Sequence, residues 1–365
     1  MSRRTNFINN GLTLILTACA LFGVVYVCNN RYVTEKMITV LLWFALGAII
    51  AGVLNTFVHE LAHLVVGKIN GFAFSEMSVW FFKWSKVKNK ICFSFTMMKD
   101  EAGYTEMIPT STENIAVRYK RMTLAGPIAS FVFTFLGVAP FFIVTLPLEL
   151  FCIWSVFLPV GAYFFFGSML PVSSYGFRND GAVAYGMNKM DDVSKVTVNL
   201  LKIQAEMYNG KTPSQIEESL YFELPQLAED NPTFMMLLNA RYNYYLDKED
   251  YDNAKGVTER LLTLEEYMPK AYINVIKTDA LYNSCTFDYD EDRADDLMYE
   301  LEKYLNNVNS ATNVRVKLAY LLYVKREKGA VDMFFKKASK EANKSQIKGY
   351  GAFEMKLLEK LKADF

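Results

Sequence analysis

Both histidines of this 365-residue chain fall in one five-residue stretch, His59-Glu60-Leu61-Ala62-His63, at the end of a long apolar run. On a helix, positions i and i+4 share a face, so both imidazoles reach a single metal ion while Glu60 stands beside the water that such an ion activates. Two randomly placed histidines would fall four apart, with Glu after the first, roughly a few times in ten thousand. Unpaired His and Glu are costly to bury within an apolar run, which argues against two unrelated polar groups. The chemistry indicated is zinc-assisted hydrolysis in a membrane setting.

The elements that must position these residues are readable from composition. Hydrophobic residues make up 52% of the chain and charged residues only 21%, a membrane-like average diluted by something soluble. The charges locate the dilution: residues 1–122 carry 13 Lys/Arg against 7 Asp/Glu, residues 123–190 carry 2 against 2, and residues 191–365 carry 24 against 30. The net charge of zero is therefore a cancellation between unlike halves, and no basic face indicates nucleic acid. Five cysteines, odd in number and widely spaced (Cys19, Cys28, Cys92, Cys152, Cys285), indicate neither a disulfide framework nor a Cys-rich metal site.

Four stretches, approximately 9–28, 37–58, 123–147 and 150–172, are long and apolar enough to span a bilayer, which takes about 20 helical residues. The first follows Arg3 and Arg4, and Leu16-Thr17-Ala18-Cys19 resembles a lipoprotein cleavage word. Its apolar run nevertheless continues through Val24 to Val27, beyond where a signal's core would stop, so a retained helix is expected. The basic residues Lys68, Lys83, Lys86, Lys88, Lys90, Lys99, Arg118, Lys120 and Arg121 crowd the 68–121 connector. That connector and the amino terminus should face the cytoplasm, which places the histidine motif near the cytoplasmic helix ends and everything after residue 172 in the cytosol. Between residues 72 and 98 an imperfect alternation rich in Phe, Trp, Val and Ser predicts two strands joined around Lys86–Lys90. Such a hairpin either covers the helix ends or offers an open edge to an extended peptide.

A catalytic zinc ion ordinarily has three protein ligands, and no third histidine exists here. A carboxylate must complete the set. Glu149 falls on the opposite side of the membrane, and Asp100, Glu101, Glu106 and Glu113 lie in the connector. Asp180, just past the fourth span and level with the histidines, is the best-placed donor, although Asn179-Asp180-Gly181 also reads as a common turn. At this point the pattern resembles the site-2 protease family of intramembrane metalloproteases. The matching pieces are His59-Glu60-Leu61-Ala62-His63 followed by Gly67, then Ala125-Gly126-Pro127-Ile128-Ala129 opening a later span, then Leu170-Pro171 followed by Asp180-Gly181.

The resemblance implies a three-helix catalytic core made of spans two to four, with span one as an addition. It further implies Zn2+ held by His59, His63 and Asp180, with Glu60 as acid/base. Two departures stand out. Ser168 occupies the position three before Pro171 where the family usually has Asn, and the spacer from Pro171 to Asp180 is longer than usual. Ser168 and Asn179 are the candidate substrate-positioning residues.

After about residue 190 the pattern changes to amphipathic helices without bilayer-length apolar runs. Ala-centred words recur at Asp250–Ala254, Asp290–Ala294 and Lys328–Ala330, which resembles a degenerate tetratricopeptide array, and Pro213, Pro225 and Pro232 break the helices before it. The expected fold is an α-helical multi-pass membrane protein with about four transmembrane helices and a small β hairpin insert, residues 1–190. A C-terminal all-α helical-hairpin domain follows, residues 191–365. The expected activity is cleavage of a membrane-embedded or membrane-associated peptide or protein near the cytoplasmic side, from a cell membrane with both termini cytoplasmic. The helical tail either stabilises the protease or docks a protein partner. The alternative is a weak or inactive membrane scaffold whose tail binds partners; a metal transporter would need a second chain of intramembrane polar ligands.

Overall fold

The computed structural model describes residues 3–33, 35–87, 90–96, 102–174, 176–268, 270–308 and 310–363. Lys88, Lys99, Asp100 and Glu101, named above, lie outside them. The chain divides into two compact units, one comprising Met1–Lys86, Lys90–Ile108 and Asn114–Ser194, the other Val87–Asn89, Pro109–Glu113 and Lys195–Phe365.

In the first unit, helix α1 (Arg3–Arg31) is followed by α2 (Met37–Ile69), four strands β1 (Phe72–Val79), β2 (Phe82–Val87), β3 (Lys90–Phe95) and β4 (Gly103–Pro109), then α3 (Ile115–Leu136). Helices α4 (Leu148–Ser155) and α5 (Phe157–Met169) come next, then short strands β5 (Ser173–Ser174) and β6 (Phe177–Arg178) and helix α6 (Asp180–Lys189). Among the described residues, four helical stretches are long and apolar enough to cross a membrane: Arg4–Arg31, Met37–Ile69, Ile115–Phe141 and Leu148–Met169. The last is two helices because Pro159 has no N–H to give the carbonyl four residues back, Ser155, which frees the chain to break at Val156.

Helix α2 is apolar outside and polar inside. Leu41, Leu42 and Ile49 are exposed, whereas Asn55, Thr56, His59 and Glu60 are buried. That inversion suits a helix whose outer face meets lipid and whose polar groups need protein partners. Small residues bring the helices close: a Cβ on Gly47 would stand 2.8 Å from Ile153 Cα, and one on Gly161 would stand 2.8 Å from Thr134 Cα.

Two expectations are corrected here. The insert is a four-stranded sheet in the order β3-β2-β1-β4, where two strands were expected. An additional tight turn at Trp80-Phe81 folds β1 onto β2, with Glu76 opposite Ser85 and Val79 opposite Phe82. The third span, in turn, begins at Ile115 and not at Thr123, so Gly126-Pro127 lies inside the helix. The reason is packing. Met122 joins Phe72, Phe74, Met77 and Met107 in a core under the sheet, which keeps the basic turn before the apolar run helical.

From Lys195 on, the described residues of the second unit form helices and their connections, with no strand. After α7 (Asp192–Tyr208) and the short α8 (Ser219–Phe222), three helix pairs follow: α9 (Pro232–Asp247) with α10 (Tyr251–Leu262), α11 (Lys270–Thr286) with α12 (Glu291–Asn307), and α13 (Ala311–Tyr323) with α14 (Val331–Ala342), closed by α15 (Lys348–Ala363). Asp250 and Asp290 cap α10 and α12 by accepting from the backbone N–H three residues on. Ala254 and Ala294, fully buried, allow close helix packing. The third word departs from the others: Lys328–Ala330 forms a single 3-10 turn before α14.

Candidate metal centre

His59, Glu60 and His63 occupy consecutive turns of α2, and Asp180 is the first residue of α6. Although 121 positions apart in the chain, His59 Nε2 and Asp180 Oδ2 lie 3.1 Å apart, and His63 Nε2 lies 3.5 Å from the same oxygen. The imidazole rings meet edge to face with centroids 4.8 Å apart. Among the described residues, His59, His63 and Asp180 form a donor group of the kind that holds a metal ion, their ligand atoms all within 4.8 Å of one another.

The hydrogen bonds behind the rings decide which nitrogen is free. His63 Nδ1 lies 2.8 Å from the Met122 carbonyl, which can only accept, so Nδ1 carries the proton. Ser130 donates its hydroxyl to Asn55 Oδ1 at 2.8 Å, so its oxygen accepts from His59 Nδ1 at 2.9 Å. Both Nε2 atoms therefore turn toward the carboxylate. Three lone-pair-bearing atoms converging in this way repel unless a proton or a metal cation stands between them. With protons there, burial pushes the Asp180 carboxyl up, but hydrogen bonds from His59 and His63 outweigh it and hold it down to about 2. A cation drawn to an ionised carboxylate and two neutral imidazoles is the alternative occupant, and two nitrogens and one oxygen suit zinc with one position left open.

Space for such an ion is built in from α3. A Cβ on Gly126 would collide with Nε2 of both histidines, so the residue there must be glycine. The Ala-Gly-Pro word thus has a steric role at the centre that a helix start would not explain. Glu60 is buried beside this group, and Thr105 of β4 donates its hydroxyl to the Glu60 Oε2 at 2.8 Å, with the Glu60 backbone carbonyl 3.1 Å from the same hydroxyl. The sheet therefore covers the Glu60 carboxylate along strand β4. Sequence reasoning missed Thr105, Ser130 and Asn55. Asn55 alone left a signal, as an amide one turn before His59 in an apolar helix.

The two candidate positioning residues sit at the approach to Asp180. Asn179 accepts from Val172 N and Ala182 N, both at 3.0 Å, and donates to Gly167 O and Leu170 O, both at 2.7 Å. All four bonding directions of its amide are engaged. Ser168 donates back to Phe164 O of its own helix at 2.7 Å. Arg178 holds Asp191 through two bonds, 3.1 and 2.9 Å, and so ties the start of α6 to its end.

Comparison with known proteins gives one family. The model of Peptidase family M50 matches residues 47–346, a span that includes the histidine pair, Glu60 and Asp180. No curated protein and no solved structure matches the chain. With that match covering most of its length, the chain belongs to peptidase family M50, the site-2 protease family of intramembrane metalloproteases.

Proposed function

We propose that the protein is an intramembrane zinc endopeptidase that hydrolyses a peptide bond of a membrane-embedded or membrane-associated protein near the cytoplasmic side. The observation that carries this reading is the convergence of His59 Nε2, His63 Nε2 and Asp180 Oδ2, with Glu60 one residue along the same helix. Zinc held by these three residues would lower the pKa of a bound water towards about 7 and polarise the scissile carbonyl.

Glu60 takes the proton from the attacking water and later returns it to the departing amide nitrogen. Thr105 fixes one carboxylate oxygen, Oε2, and so aims the other. Strand β4 is an edge of the sheet beside Glu60, and a sheet edge of this kind suits an extended peptide that adds to it as a further strand. A substrate helix must unwind locally to present its carbonyl there, which favours substrates with helix-weakening residues at their cytoplasmic end. Asn179 and Ser168 act in this scheme by shaping the α5–α6 turn that delivers Asp180. The same reading has a multi-pass protein of the cell membrane with both termini cytoplasmic, and a helical tail that docks a protein partner or regulator.

Replacing Glu60 by Gln tests the mechanism. Glu60→Gln should abolish cleavage of a small membrane-protein substrate while the purified protein keeps its zinc; cleavage at the wild-type rate would rule out Glu60 as the acid/base.

A further inference from the structure

Helix α1, which the resemblance leaves outside the three-helix core, carries Asn6, Asn9 and Thr13 at spacings of three and four, on one face. Amides in a membrane-length helix are costly unless they find partners. Both find them in the loop between α5 and α6. Asn6 forms a two-way clasp with one residue, its Nδ2 donating to Ser173 O and its Oδ1 accepting from Ser173 N at 3.1 Å. Asn9 Nδ2 donates to Pro171 O at 2.7 Å. Thr13 is buried and bonds back to Asn9 O at 3.0 Å.

The other side of the same loop belongs to Asn179, which holds Gly167 O, Leu170 O and Val172 N. Residues 167–173 are thus gripped between two sets of amides, one from α1 and one from the residue directly before Asp180. We propose that Asn6 and Asn9 are positioning residues for the metal centre: they fix the loop that delivers the third ligand. This rests on the reading of His59, His63 and Asp180 as the zinc ligands. The physical need follows from the long spacer between Pro171 and Asp180. A free loop of that length samples many conformations, most of which carry Asp180 away from the imidazoles, and clamping it removes that freedom before the ion binds. The lipoprotein-like word at Cys19 gains a consequence. Cleavage before Cys19 would remove both amides together and leave residues 167–173 without this clamp.

The test uses full-length protein in detergent and reads metal binding. Zinc affinity is measured by competition with a chromophoric chelator, and ligand geometry by the visible absorption of the Co2+-substituted protein. The Asn6→Ala/Asn9→Ala double variant should bind zinc ~10–100-fold more weakly and shift the Co2+ bands, as loss of outer-shell support does. Asn10→Ala, on the exposed side of the same helix, should match wild type. Asp180→Ala should lose stoichiometric zinc. A folded double variant with zinc affinity within about twofold of wild type and an unchanged Co2+ spectrum overturns the clamp alone. Zinc retention by Asp180→Ala overturns the ligand assignment, and the clamp with it. If the double variant fails to accumulate, the two single variants decide: wild-type affinity in both overturns the proposal, and weakened affinity in either supports it.

Discussion

Ser130 sits between two groups and settles what His59 can do. Its proton goes to Asn55, so its oxygen is left to accept from His59 Nδ1, and the ring is fixed both in tautomer and in orientation. Ser130 is itself fully buried, and no water can stand in for it without a cavity being made. Ser130→Ala should therefore weaken zinc binding ~10–100-fold while leaving the fold intact, and Ser130→Thr, which keeps the hydroxyl, should restore most of the loss. Chelator competition on the purified variants measures both. The contrast between the histidines is instructive: His63 bonds a backbone carbonyl, which no substitution at Met122 can remove, whereas His59 depends on a side chain.

The helices of the tail meet around a polar seam. Arg315 of α13 pairs with Glu354 of α15 through 2.8 and 3.3 Å contacts, both side chains almost fully buried, and Thr312 donates to the same carboxylate at 2.7 Å. Asp279 of α11 lies against this seam with Asn239 as a distant donor at 3.5 Å. Burial pushes its carboxyl up to about 7, against the pull of Arg315. Unfolded Asp ionises near about 4, so the folded state holds a proton that the unfolded state has lost between those pH values. Stability from this group is full below about pH 4 and is lost as pH rises through about 7, by about 4 kcal/mol at most. Asp279→Asn should flatten that loss, so that denaturant unfolding of wild type and variant converges at pH 4 and separates at pH 8 with the variant more stable. Identical pH dependence in the two proteins would sink this account.

What the chain's residues reveal in advance differs from element to element for physical reasons. The apolar spans and the capped hairpins are legible because length, period and cap residues act locally: Asp250 and Asp290 announce the starts of α10 and α12. The turn at Trp80-Phe81 is not legible. No Gly, Asn or Asp marks it, and Trp80 takes a left-handed conformation, φ 53°, that its side chain disfavours. Gly126-Pro127 reads as a helix start because proline suits a first turn, yet the glycine is needed for clearance from residues more than 60 positions away. The histidine pair of the donor group is a local pattern and is readable in the sequence. The bonds of Asn6 and Asn9 to Ser173 and Pro171, in the loop before Asp180, are long-range and leave no such pattern.

Over the entire molecule, the two halves of opposite charge character and the basic 68–121 connector argue for one orientation in the bilayer. Val33, highly exposed between α1 and α2, should lie outside the cell, and Tyr299 on α12 inside it. In a chain with Cys19 and Cys92 replaced by Ala, Val33→Cys should react with an impermeant maleimide in intact cells, whereas Tyr299→Cys should react only after lysis. The reverse pattern would invert the topology. The contact of Gly161 with Thr134 gives this arrangement a mechanical side. Gly161 lets α5 come down onto Thr134 of α3, beside the ring pairs Phe131–Phe165 and Phe133–Phe157, and the last residues of α5 run directly into the loop that ends at Asp180. The depth at which α5 is seated on α3 therefore also sets where the loop to Asp180 begins.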